Sequence, residues 1–407
     1  MTDHDRSTLT AEPHSLDRPK TDLADVDVES ALRRFSPALR REVRKLIRLS
    51  PRAADLALVF PGLLAALAAK RGGAERRRGA LELIDAGAQL KLVARALGMP
   101  MWMRRLAPDA FNLGVPDPLP RSERFGRRIA ARIPGPHENS GLWLSSVLFA
   151  ERAASEEFAT WIAQQRIFNE RGKAEDLLEV LTAYAWYSTA RDTEAYKLIA
   201  VPWRPEIAFD TALCAAKSWL NRVRLVLQLP PGAITDSWLQ AGVANGHSFE
   251  PLLDCRQILA EAHAMQNCAD QYAERIARHR CRLFSVRRNG QRVATIEVAH
   301  HPRETSYLAI MQLKARHNMG AGPDVWQAAY AWMASQQNLR VVSPLLSLNA
   351  RMTFDQEAWR ELMAPYREAK GGAAWFRHEA DETMFARHNA DMSDVARRAG
   401  VTSWLFT

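Results

Sequence analysis

Residues 281–298 read CRLFSVRR-NG-QRVATIEV, and the Asn289-Gly290 pair at their centre constrains this chain more than any other two residues. Asn and Gly both accept the positive φ that a type I′ turn needs at its two central positions, and the twist of that turn suits a two-residue hairpin. The flanking runs are rich in β-branched and aromatic residues, which favour a pleated strand. An antiparallel hairpin follows. Its turn sets a register that places Ser285 opposite Ala294, Phe284 opposite Thr295 and Arg282 opposite Glu297. Arg282 and Glu297 then read most simply as a cross-strand ion pair.

The hairpin is flanked by helical patterns. Before it, Ile258, Ala262, Met265, Ala269, Tyr272 and Ile276 recur at alternating spacings of four and three, which predicts one helix over 254–278 with a single apolar stripe. Cys268 falls on a flank of that stripe, with Glu261 seven residues before it and Arg275 seven after. Beyond the hairpin, a loop through His300-His301-Pro302 leads to a third strand at Tyr307–Leu313, and Asp324 caps a helix reaching about Gln337. The expected unit is helix, three-stranded antiparallel meander, helix, with the stripe covering the apolar face of the sheet. The rest of the chain reads helical, so the expected fold is mostly α with a small α+β module.

Organisation along the chain follows composition. Residues 1–28 carry Ser, Thr, Pro and Asp without apolar periodicity and read as a disordered acidic tail. Residues 29–113 form a basic helical region in which Ser36-Pro37 starts one helix and Pro61 splits another. A Pro/Gly-rich linker follows at 114–136. A helical domain at 137–248 has Trp143, Trp161, Trp186 and Trp219 as core candidates. The α+β module takes 249–340, and 341–407 is a helical or irregular segment with a short terminal helix from Ser393 to Gly400. There is no fixed-period repeat.

The charge distribution is uneven. Residues 31–135 hold 22 basic and 8 acidic side chains, residues 1–30 hold 3 and 8, and the remaining 272 balance at 30 each. The whole surplus of +9 therefore sits in the first third, where it raises the potential that attracts phosphate. Within it, LKLVARALGMPMWMRRLAPDAF reads as helix, short turn, helix, with Lys91 and Arg95 before the turn and Arg104 and Arg105 after it. A helix-turn-helix module puts its second helix in the major groove, where Arg can read guanine. A solvated helical hairpin has the same outline. Possible DNA or a nucleoprotein is the expected partner. No run of about 18 apolar residues exists to span a bilayer, and the polar opening MTDHDRSTLTAEPHSLDRPK lacks the pattern of a secretory signal, so a cytoplasmic protein is expected with no membrane partner. Cys214, Cys255, Cys268 and Cys281 match no zinc spacing, so reduced thiols and no metal or cofactor are expected.

One group of residues resembles a known family. Phe249, Pro251 and Leu252, then Glu261, Met265, Cys268 and Tyr272, then Leu283-Phe284-Ser285-Val286-Arg287, Ala294-Thr295-Ile296-Glu297 and Gln312 with Asn318 are similar to the pattern of the PcfJ-like proteins. That pattern is a Cys and Tyr four apart, a hairpin ending in Thr-x-Glu, and a Gln with an Asn six residues on. The likeness spans about 249–320. The chain departs from it at Asn267, where the family usually has His, and at Ala315, where it usually has Gly. The resemblance implies a shared fold and an association with mobile elements such as conjugative plasmids, and no reaction.

If the motif is a site, Cys268, Tyr272, Thr295, Glu297, Gln312 and Asn318 should share one pocket. A nucleophilic Cys268 needs a base or cation to lower its pKa. His263 lies about 140° away around a helix and cannot serve. A buried structural thiol is the simpler reading of Cys268, and Glu297 would need burial to reach a pKa useful in acid/base work.

Overall fold

Proline decides where the first helices break. Pro37 occupies the first turn of its helix and Pro61 opens another directly after Phe60, positions where its missing N–H costs nothing. The computed structural model describes residues 22–116, 119–120, 122–135, 139–165, 167, 174–340, 352–370 and 379–401. The chain divides into two compact units, Met1–Glu175 and Asp176–Thr407.

The first unit is helical: α1 Asp22–Arg33, α2 Pro37–Leu49, α3 Leu56–Val59, α4 Pro61–Ala68, α5 Gly73–Asp85, α6 Leu90–Ala96, α7 Glu123–Ala130, α8 Ser140–Ala153 and α9 Glu156–Ala163. Every residue of α4 is buried, so this short apolar helix is the axis of the core. A Cβ on Gly126 would lie 2.0 Å from Trp102, which is why the residue where α7 meets that ring has no side chain. Residues 114–136, read as a linker, lie inside this unit and contain α7. Most of the tail lies outside the described residues, which start with α1.

In the second unit α10 Ala174–Tyr187, α11 Glu194–Lys197, α12 Phe209–Gln228, α16 Gln356–Lys370 and α17 Glu382–Arg398 surround an aromatic centre. Tyr187 stacks near Tyr366 and Trp219, and its hydroxyl donates to the Leu362 carbonyl at 2.6 Å. The terminal helix is longer than its sequence suggests. Asp381 caps it through the Met384 N–H, and Ser393 sits inside with its hydroxyl on the Asn389 carbonyl, so no new helix starts there.

The sheet has five antiparallel strands in sequential order, β1 Gly242–Ala244, β2 His247–Pro251, β3 Cys281–Arg288, β4 Gln291–His300 and β5 Leu308–Lys314. The expected meander is present, and the strand count of three is corrected to five. The two extra strands are joined by Asn245-Gly246, both at positive φ, the same turn chemistry as Asn289-Gly290. The flanking runs there are too short to announce themselves.

Consecutive residues Cys281–Val286 are all buried, so both faces of the sheet are covered. One face carries Phe249, Phe284, Val286, Ile296 and Val298 against α15, Pro323–Ala334. Trp332 of α15 stacks flat on Phe249 with centroids 4.7 Å apart. The N-cap of α15 is Gly322 rather than Asp324. The other face, with Cys281, Leu283 and Ala299, packs on α12, on α13 Cys255–Met265 and on α14 Ala273–Ala277. The preceding helical stripe therefore covers this second face, while α15 takes the more apolar one. That stripe is not one helix. It breaks at Gln266, which adopts left-handed φ 50°, and resumes as a 3₁₀ turn at Ala269–Gln271 before α14.

Two bulges reset the register. Near the turn Arg288 faces Gln291 and Arg287 faces Arg292, but an extra residue, Val293, then shifts the pairing so that Ser285 faces Thr295 and Leu283 faces Glu297. The turn-derived register of Ser285 with Ala294, Phe284 with Thr295 and Arg282 with Glu297 is thereby overturned. In a strand a one-residue shift moves a side chain to the opposite face. Thr295 and Glu297 thus leave the Phe284 face and join the α13 face. A second bulge, at Met311 of β5, brings Gln312 rather than Met311 opposite Glu297.

Candidate functional site

The two bulges assemble the site. Thr295 and Glu297 of β4 and Gln312 and Lys314 of β5 share one face of the sheet because residues paired across an antiparallel ladder point the same way. Above them the broken helix supplies Asn267, Cys268 and Tyr272, and the turn after β5 supplies Asn318. Together these residues, with Ala269 and Leu283, line one cleft. All six sequence-derived candidates, Cys268, Tyr272, Thr295, Glu297, Gln312 and Asn318, are among them. The cleft is small, about 20 Å³, which suits about one water molecule.

Its walls are held by ion pairs whose carboxylates are buried. Glu297 is 2% exposed, receives the Tyr272 hydroxyl at 3.1 Å and lies in ion-pair contact with Arg275. That guanidinium also covers the Tyr272 ring, 5.2 Å from its centroid. The cation partnering Glu297 is therefore Arg275, not Arg282. Arg282 instead donates to the carbonyls of Asp236, Ile276 and Cys281 and lies 4.5 Å from the centroid of the Trp238 ring.

A second chain of contacts fixes Thr295. Glu261, fully buried, accepts from the Thr295 hydroxyl at 2.7 Å and from Arg292 at 2.8 Å, and Thr295 in turn accepts from the Asn267 amide at 2.9 Å. Asn267 also accepts the Ala269 N–H. Asn267 is thus a bracing amide.

Cys268 is a neutral thiol at rest. Its backbone N–H and its Sγ both lie against Asn318 Oδ1, at 3.3 and 3.4 Å, and burial pushes the thiol pKa up, with the carboxylates of Asp270 and Glu297 adding to the effect. Asn318 and its neighbour His317 both hold φ 58°, a left-handed pair of the kind that costs energy and clusters at functional sites. Among the described residues no His lines the cleft: His263 is exposed, and His300 and His301 are bonded within their own loop. Burial and the Glu297 charge drive the Tyr272 hydroxyl far above its ordinary pKa, so it acts as a hydrogen-bond donor. Among the described residues no group of three or more His, Cys, Asp or Glu is arranged to hold a metal.

The arrangement therefore offers a thiol and a carboxylate beside a single cation, Lys314, which makes no ion pair among the described residues. The sequence motif did not name Lys314 as a site residue. Its signal was the period of two, since residue 314 shares a strand face with residue 312.

The basic candidates behave differently. Lys91 and Arg95 lie exposed on α6, and Arg104 and Arg105 are exposed on a five-residue 3₁₀ turn, Met101–Arg105. The expected second helix is absent, because Pro100 and Pro108 bracket a segment too short for an α-helix and each removes a donor. Arg104 is tied to the Val59 carbonyl at 3.1 Å. A groove-reading recognition helix is thereby removed, while the exposed charge remains.

No family model matches the chain, and no curated protein or solved structure does so either. No helix among the described residues is long and apolar enough to cross a membrane.

Proposed function

We propose that the second unit is an enzyme whose centre is the cleft at Cys268, a PcfJ-like module acting on one small electrophilic group at the end of a larger substrate. The support is a single observation: residues picked from sequence on four separate segments line one cleft. A cleft that takes about one water can receive an activated carbonyl but not a whole molecule. The substrate body then lies over the exposed Gln312. In this reading Cys268 Sγ attacks the carbonyl carbon of an activated acyl group. Glu297, the one carboxylate lining the cleft among the described residues, takes the thiol proton and passes it to the leaving group as the bond from the acyl carbon to that group breaks. Lys314 faces the negative charge that develops on the attacked group. Tyr272 and Arg275 hold Glu297 in place.

Peptide mapping by mass spectrometry tests this on the full chain. Iodoacetamide and a panel of small activated acyl donors are compared at neutral pH. Cys268 should resist the alkylating agent yet be acylated by donors that fit the cleft, with the rate falling at least tenfold in Glu297→Gln and Lys314→Met. If no donor acylates Cys268 faster than Cys214, or if both variants keep the wild-type rate, the thiol is packing and the proposal fails.

A second reading, that the first unit binds DNA or a nucleoprotein partner, is favoured by its surplus of exposed cations. Lys91, Arg95 and Arg105 make no ion pair among the described residues. Contact of this kind is electrostatic, and it would fit the mobile-element association that the resemblance implies. A duplex titration whose affinity does not fall with salt would remove it.

A further inference from the structure

We infer that a cleft in the first unit, between the start of α5, α6 and the turn at residues 98–101, binds a phosphate-bearing ligand of nucleotide size, an inference that rests on reading this unit as an anion-binding surface. Arg71, Arg76, Lys91 and Arg95 line it, and among the described residues Glu123 is the one carboxylate beside them. Several cations elsewhere in the unit have acidic partners, Arg34 with Asp109, Arg44 with Glu29, Lys45 with Glu42, Arg78 with Glu75 and Arg128 with Glu156, while others, Arg105 among them, stand exposed without one among the described residues. In the cleft, Arg76, Lys91 and Arg95 make no such pair among the described residues. Arg71, at the edge of the cleft, is bonded to the Pro116 carbonyl. The three like charges of Arg76, Lys91 and Arg95 gathered around one hollow repel one another, and an anion placed among them relieves that repulsion.

Shape narrows the ligand. The cleft measures about 660 Å³, within the range of about 300–1,000 Å³ that small-molecule sites occupy. Its lining includes Leu97 and Met99, both buried, so the cations stand beside an apolar floor. Phosphate on an apolar body fits both parts. A duplex backbone meets exposed ridges, whereas a hollow of this size admits a free nucleotide or the end of a single strand.

Calorimetric titration of the full chain tests this with pyrophosphate, ADP, a short oligothymidylate with and without a 5′-phosphate, and a duplex. ADP should bind saturably and more tightly than pyrophosphate, and should compete with it. A combined Arg76→Gln, Lys91→Gln, Arg95→Gln variant should lose at least tenfold in ADP affinity, while Arg41→Gln, outside the cleft, should not. A strand that gains affinity from its 5′-phosphate and exceeds ADP would identify a strand end as the source, and the reverse order a free nucleotide. Absence of saturable ADP and pyrophosphate binding, or an unchanged affinity in the triple variant, overturns the inference. If the duplex still binds in that case, the anion-binding reading survives and only the cleft is lost. If neither binds, both fall.

Discussion

The two clefts handle charge in opposite ways. In the second unit the cleft is about 20 Å³ and its carboxylates are buried and matched: Glu297 to Arg275, and behind it Glu261 to Arg292. In the first unit the cleft is about 660 Å³ and open, and three of its lining cations, Arg76, Lys91 and Arg95, make no ion pair among the described residues. A matched, buried pair is committed to holding structure, since breaking it strands a charge away from water. An unmatched, solvated cation holds nothing and is available to a ligand. The chemistry proposed for the second unit is then narrow, a thiol with the held Glu297 carboxylate and Lys314, while that of the first is electrostatic.

The sharpest way to break this contrast is to remove a committed partner. Arg292→Met leaves the fully buried Glu261 without its cation and should cost about 3–5 kcal/mol, read as a lower denaturant midpoint with unchanged slope. Adding Glu261→Gln to the same chain should recover much of the loss, because the stranded charge is gone. The matched experiment in the first unit, Arg95→Met, should move stability by less than about 0.5 kcal/mol. Equal costs at the two sites would mean that the first-unit cations are structural too.

How much of this could be read from sequence follows from what the signals measure. The Asn289-Gly290 turn predicts the hairpin because turn chemistry is local, and the third strand with Gln312 follows from it. The register did not follow, because a bulge at Val293 depends on which face of β4 must meet α13, and that is a tertiary demand. The expected pairing of Arg282 with Glu297 failed for that reason alone. The apolar period is unbroken through Gln266, so the sequence predicts one continuous helix over 254–278. The break there lets Asn267 and Cys268 turn down onto the sheet, which periodicity cannot register. The flank noted in sequence, Glu261 and Arg275 on either side of Cys268, did carry the answer in part: both reach β4, at Thr295 and Glu297. In the basic region composition located the charge but not its form, since Pro100 and Pro108 replaced the expected second helix by 3₁₀ turns.

A pH series on Cys268 sharpens the contrast next. Burial raises its thiol pKa, so its alkylation should lag behind a free thiol and rise only at pH values above the ordinary midpoint of about 8.5. The sign for stability follows from a folded-state pKa above the unfolded one: the contribution is whole below the unfolded thiol value and is lost as pH climbs through the folded one. Cys281, pushed up to about 12 by burial, acts in the same direction. Cys268→Ser should therefore flatten part of the alkaline loss of stability. A Cys268 that alkylates as fast as a free thiol at pH 7 would place it in water, outside the matched interior.

The smallest effect separates a buried cation from an exposed one. Lys217, on α12, is half-buried, and desolvation lowers its pKa to about 8, whereas Lys91 is exposed on α6. A depressed lysine pKa means that folding favours the neutral amine. The stability this gives is present above the unfolded value of about 10.4 and is lost as pH falls through about 8, so at pH 7 the charged lysine opposes folding. Because the group is only partly shielded, solvent screening cuts the penalty to about 1 kcal/mol. Lys217→Met should raise the melting temperature at pH 7 by a few degrees and lose that advantage by pH 10.5, while Lys91→Met should change neither value by more than about a degree. A gain at Lys217 that is the same at both pH values would come from packing of the methionine rather than from removing a charge, and the distinction between the two cations would then have to rest on their ligands alone.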